Sequence, residues 1–274
     1  MTPVAAELAD RAGRGCPRPW WFLAAVVAWT WAFLWPATLT GQPWLAFPTV
    51  LLTVAGLLGP LAITAAFVGL GWWDAEPRNF WRRALDPRAV APRWYAVALG
   101  LTVVLAGAPV AIEALRRGVP PWDLVTGGAP AVFLLVGLLA GVVEEPAWRG
   151  YAQTALQRGL PVVAAALLVG VFWALWHLPL FFLEGTYQAT LGVGTSAFWA
   201  FHAALLAGAV VYAWLLGSAG GAAVVAVVYH AAGNALRELW SLGGVEAAEL
   251  ATEVAMACIL VLVGWRWMAR KLEA

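Results

Sequence analysis

Charge is what this chain has little of. Only 11% of its 274 residues are Asp, Glu, Lys or Arg, against 63% hydrophobic, and the formal net charge is +1. A soluble domain with a mean hydropathy of +0.79 would present a mostly apolar surface to water, so that class is excluded. Near-neutrality argues against a nucleic-acid partner. Cysteine is almost as scarce. Cys16 and Cys258 fit neither a disulfide framework nor a metal-ligand spacing, and read as an inert tail thiol and a small core residue. There is no HExxH, no convincing internal repeat and no low-complexity segment. The first apolar run is longer than a signal-peptide core and lacks a clear small-residue cleavage site, so it reads as a retained helix.

What the chain has instead is apolar runs and 19 Trp. Runs at about 20–38, 44–72, 94–115, 131–148, 161–183, 195–216, 219–239 and 247–267 predict an all-α polytopic membrane protein of about eight transmembrane helices. Gly59-Pro60 marks a kink in the second run. Residues 1–18 form a tail and residues 19–274 one helical domain, with its core at about 131–240. Twelve of the 16 Arg and Lys fall in the tail, in the loops after the second and fourth runs, and at the C-terminus; Arg116, Arg117 and Arg237 fall on the other side. Basic loops face the cytoplasm, so both ends are expected there, in a multi-pass cell-membrane protein surrounded by lipid. The Arg-rich connection between Trp73 and Arg93 is read as this topology signal, and Glu113 as an interfacial partner of Arg116 and Arg117.

Against this background the ionisable residues inside the apolar runs stand out. Glu144 and Glu145 end the fourth run and Arg149 follows. Each such residue opposes insertion by about 2.5–3.5 kcal/mol. Glu145 and Arg149, at i and i+4 with the acid first, form a helical ion pair, which leaves Glu144 without a local partner. Pro146 should kink the helix beside them. One turn earlier, Gly137 and Gly141 make a GxxxG that invites a second helix against the carboxylates. The fifth run places Trp173 one turn before His177, and Pro179 leaves the carbonyl of Leu175 without its donor. The seventh places His230 and Asn234 on one face, with Gly233 between them. Two Glu, two His and an Asn on three helices are satisfied together by one hydrated, polar pocket among the fourth, fifth and seventh helices.

In this order, EExxxR, an aromatic-xxx-His turn and HxxxN resemble the CAAX prenyl endopeptidase and bacteriocin-processing (CPBP, or Abi) family of intramembrane proteases, over about residues 131–240. One departure is visible: the family usually has Phe where this chain has Trp173. Peptide hydrolysis needs an activated water, a stabilised oxyanion and a proton for the leaving amine. Glu144 suits the general base, His177 a holder of the same water, and His230 with Asn234 the oxyanion donors, and the resemblance implies the same roles. Glu145, Arg149 and Trp173 are supporting residues. No Ser or Cys stands in the motifs as a nucleophile. Zinc stays open: Glu144, His177 and His230 would be its ligands, and the family is often labelled a metalloprotease, but three ligands on three helices without HExxH favour a metal-free route. The expected substrate is a peptide or lipidated protein, such as a prenylated CAAX-type tail or a leader peptide. A non-catalytic scaffold or immunity factor binding peptide or lipid is the alternative.

Of the remaining polar residues, His202 reads as a structural hydrogen bond, Glu184 as solvated, and Glu246, Glu249 and Glu253 as a solvated acidic face.

Overall fold

The computed structural model describes residues 17–73, 76–124, 129–239 and 246–271. Arg11, Arg14, Cys16 and Asp74 lie outside them, as does most of the tail at 1–18. The described chain is all helical: α1 (Pro19–Thr38), α2 (Thr49–Leu57), α3 (Gly59–Gly69), α4 (Pro77–Leu85), α5 (Pro92–Arg117), α6 (Pro130–Glu145), α7 (Val162–His177), α8 (Tyr187–Leu191), α9 (Ser196–Ser218), α10 (Val224–Leu239) and α11 (Glu246–Met268).

Proline opens many of these helices. Pro19, Pro77, Pro92 and Pro130 each sit in a first turn, where a missing N–H removes no helical bond. Gly118, at φ +67°, closes α5 in the left-handed conformation that favours glycine. The hydroxyl of Thr195 accepts from the N–H of Phe198, 3.1 Å away, and starts α9.

Six helical stretches are long and apolar enough to cross a membrane, and a seventh is obtained if α2 and α3 count as one span bent by 43°. The bend falls at Gly59-Pro60, as the sequence predicts. The expectation of about eight is therefore met only in part. The seventh predicted run yields α10, 16 residues from Val224 to Leu239. At 1.5 Å per residue it reaches about 24 Å, short of a hydrocarbon core of about 30 Å. Large apolar side chains such as Leu262 and Val263 are exposed on the outside, as a bilayer-facing surface requires. Together these features make it an integral membrane protein.

α6 and α10 pack backbone to backbone. A Cβ added at Gly137 would stand 3.0 Å from Ala231 Cα, and one at Gly141 would stand 3.0 Å from the Val227 carbonyl oxygen. The helix invited by the GxxxG is thus the one that carries His230 and Asn234. α7 docks on α9 through Gly170. It is also tied to α1 by the Trp176 indole, which donates to the Thr30 hydroxyl at 2.8 Å.

Two sequence expectations are overturned here. Glu253 is not part of a solvated face: it is 4% exposed and pairs with Arg237, joining α11 to α10. A lone carboxylate at that depth would be expensive, and Arg237 supplies the charge that lets it stay. Cys258 is exposed on the outside of α11 rather than packed in the core. Glu113 does pair with Arg116 and Arg117, and Glu184 is exposed. The connection after Trp73 is more ordered than a topology signal needs. It forms α4, which buries Phe80 against Trp73 near Gly150, and Arg83 donates to the Gly220 carbonyl at 2.7 Å.

Candidate active site

The helix that presents the carboxylates changes its winding directly after them. Pro146 has no N–H, so the α-helical pattern ends at Glu145 and the chain continues as π-helix from Pro146 to Gln153. Wider turns at this point stand in for the kink expected from Pro146. α7 changes just as abruptly. His177 is its last residue, and Leu178–Phe182 winds on as a 3-10 helix. Pro179 is the cause, since it cannot donate to the carbonyl of Leu175; the Trp31 indole fills that place at 3.0 Å.

The two adjacent glutamates have unlike surroundings. Glu145 is fully buried and held from two sides. Arg149 Nη1 lies 3.2 Å from its carboxylate oxygens, and His230 Nδ1 lies 2.8 Å from Oε1. A carboxylate only accepts, so His230 donates through Nδ1 and Nε2 is left for other work. Glu144, 7% exposed, receives one hydrogen bond among the described residues: the Trp173 indole N–H donates to Oε2 at 2.8 Å. Among the described residues, the buried side-chain atoms without a hydrogen-bond partner are Glu145 Oε2, Trp148 Nε1, Arg149 Nη2 and Glu253 Oε2. Glu144 Oε1 is not among them, although no described residue bonds it.

The imidazole of His177 is oriented by its own helix. Nδ1 lies 2.8 Å from the Trp173 carbonyl. That oxygen can only accept, so Nδ1 carries the proton, and Nε2 of the neutral ring is a free lone pair. The Trp173 ring stands edge-on to both imidazoles, with centroids 5.7 Å from His177 and 6.4 Å from His230. Asn234 lies one turn along α10 from His230, its Cβ against Gly137 of α6, and its carboxamide makes no hydrogen bond among the described residues.

Glu144, His177 and His230 therefore surround the Trp173 indole, while Asn234 sits beside this group without bonding to it. Sequence reasoning assigned Glu145 to Arg149 alone, and the structure adds His230 to the same carboxylate. It missed Tyr212 altogether. That ring covers the Arg149 guanidinium at 3.7 Å, with the Trp173 ring, perpendicular to it, 4.3 Å from the same group, and stands edge-on to His230. No motif marks Tyr212, which arrives from α9 at long sequence separation. His202 is structural as expected, with Nδ1 2.7 Å from the Phe198 carbonyl and its ring stacked on Phe181.

The donor set suits a metal poorly. Among the described residues no three His, Cys, Asp or Glu side chains converge as a metal centre requires. Glu144 Oε2 and the Nδ1 atoms of His177 and His230 are engaged by Trp173 and Glu145, so Glu144 Oε1 and the two Nε2 atoms are what a metal could use.

Comparison with known proteins places this arrangement. CAAX prenyl protease 2 of Methanococcus maripaludis is 32% identical to the chain over 120 residues. The aligned stretch covers 43% of this chain, and the chain spans 43% of that relative's length. The family model for type II CAAX prenyl endopeptidase Rce1-like proteins matches residues 126–236. That interval contains both glutamates, Arg149, Trp173, both site histidines, Tyr212 and Asn234. Over residues 126–236 the chain is thus similar to the Rce1-like type II CAAX prenyl endopeptidases, a family of proteases.

Proposed function

We propose that this protein is an intramembrane endopeptidase that cleaves a lipidated CAAX-type tail or a related peptide reached from the bilayer. The observation that carries the reading is the division of labour between Glu144 and Glu145. Glu145 is fully buried and its charge is met by both Arg149 and His230, whereas Glu144 keeps an oxygen that is not sealed from solvent and that no described residue bonds. A buried acid kept in that state is suited to take a proton from water.

In this mechanism Glu144 accepts a proton from a water that also donates to His177 Nε2. The resulting hydroxide attacks the scissile carbonyl carbon and leaves its oxygen negative. His230, doubly protonated with its charge matched by Glu145, donates Nε2–H to that oxygen, and the Asn234 amide donates beside it. The C–N bond then breaks, the proton held by Glu144 passes to the leaving amine, and a carboxylic acid and an amine depart, the acid giving up its proton to solvent water. No covalent intermediate and no metal-bound step is used.

The reading extends to topology. α10 completes an eighth crossing despite its 16 residues, because its partner α6 and the local bilayer adapt to its length. Both termini then face the cytoplasm.

The experiment is cleavage of fluorogenic farnesylated peptides by the purified protein in detergent. Activity lost in both Glu144→Gln and His230→Ala, with folding intact, supports the enzyme. A wild-type protein that cleaves no peptide in the series, or a biological effect that survives both substitutions, favours a peptide- or lipid-binding scaffold.

A further inference from the structure

Trp173 contributes more than a wall. Its indole N–H donates to Glu144 Oε2 at 2.8 Å, and its main-chain carbonyl accepts from His177 Nδ1 at 2.8 Å. Its ring face lies 4.3 Å under the Arg149 guanidinium. With 7% of its surface exposed, the residue has no freedom to swing away. Two of the contacts have consequences that differ with side chain. The carbonyl contact belongs to the backbone and survives any substitution that keeps α7 intact. The indole contact exists only if the side chain is Trp, because phenylalanine offers the same kind of ring face without a donor.

A carboxylate has about four lone-pair sites on two oxygens. Occupying one oxygen with a rigid donor fixes the side-chain torsions and leaves the other oxygen as the site of proton transfer. The donor itself is fixed by packing: Arg149 lies on the indole face, and Tyr212 meets it edge-on with centroids 5.8 Å apart. We infer that Trp173 is a positioning residue that pins one oxygen of Glu144 through its indole N–H and aims His177 through its carbonyl, so that one residue sets the spacing between base and imidazole. The inference deepens the protease reading and rests on it for its kinetic consequence, but the bond itself is testable without turnover.

The test compares wild type with Trp173→Phe and with 3-benzothienylalanine at position 173, which keeps the bicyclic shape and replaces N–H by sulfur. Both variants are expected to lower kcat by about 10- to 100-fold, the range of a hydrogen bond to a charged group. KM should stay within about threefold and the unfolding midpoint of the isostere unchanged. In 15N-Trp-labelled protein the indole signal missing from the Trp173→Phe spectrum is expected downfield, and it should move in Glu144→Gln. Variants that cleave like wild type, or an indole signal indifferent to Glu144→Gln, would overturn the inference. If wild type cleaves none of the peptides, the protease reading alone fails, and a Glu144-sensitive signal would still support the bond.

Discussion

Arg149→Met is the substitution that best separates folding from chemistry. Arg149 is 1% exposed and Glu145 0%, so removing the guanidinium leaves a carboxylate with no route to water. Breaking a buried pair from one side costs about 3–5 kcal/mol. The low end applies here for two reasons. His230 remains as a second partner of Glu145 at 2.8 Å, and the existing pair is not ideal, since Arg149 Nη2 and Glu145 Oε2 are unmatched. The loss of the guanidinium removes its cation–π contacts with Trp173 and Tyr212, while methionine refills part of the volume. We therefore expect a destabilisation of about 3 kcal/mol, read as the shift in unfolding by sodium dodecyl sulfate in mixed micelles. Glu145→Gln in the same chain removes the stranded charge, and the double variant should recover about 2 kcal/mol of it, a coupling expected of residues in contact. Yet the double variant should stay at least about 100-fold less active, because a neutral amide does not match the imidazolium that the proposed mechanism requires at His230. A double variant no more stable than Arg149→Met would refute the reasoning that Glu145 is the group left stranded.

Other consequences follow from the same geometry. Gly141→Val should weaken the α6–α10 contact by about 1–3 kcal/mol, because its Cβ would meet the Val227 carbonyl at 3.0 Å, a backbone atom unable to move aside; folded yield in detergent reports it. Arg237→Ala should destabilise by about 1–3 kcal/mol, less than a fully enclosed pair because the Arg237 side chain is half exposed, and Glu253→Gln should restore most of the loss in the same unfolding assay. EDTA and 1,10-phenanthroline should leave peptide cleavage within about twofold, since no three donor side chains among the described residues converge as a zinc site requires; abolished cleavage restored by added zinc would contradict this.

Most of the framework was legible before any coordinates. An ionisable residue in an apolar run needs a partner, and that need linked Glu145 to Arg149, while the GxxxG at Gly137 and Gly141 announced a close second helix without saying which one. Proline supplied the breaks, at Gly59-Pro60, after Glu145 and after His177. What stayed hidden were pairings between distant elements whose members carry no local signal. Helical spacing made Glu253 look like one of three solvated acids, because the sequence does not reveal that Arg237 faces it across α10 and α11. Tyr212 looked like any aromatic in an apolar helix. Trp173 was visible as a ring but not as a donor, since only side-chain placement shows that its N–H meets Glu144. The count of spans was blurred by α10, whose start at Val224 follows a glycine-rich turn rather than the end of the apolar run.

The π-wound stretch from Pro146 to Gln153 has an implication for reading any similar sequence. A helical wheel drawn through 131–156 assumes 100° for every step, but the wider winding advances by about 80° and accumulates a lag of more than one full position. Side chains beyond the break are thereby dealt to sides of the rod that the wheel would assign to their neighbours. Tyr151 shows the outcome: its hydroxyl reaches across to the Trp72 carbonyl at 2.6 Å and accepts from the Arg18 amide at 3.2 Å. Excising a single residue such as Ala147 would let the segment relax to ordinary winding: Tyr151 would keep its bearing, four steps of about 100° replacing five of about 80°, while Arg149 would turn by about 40° from its partners.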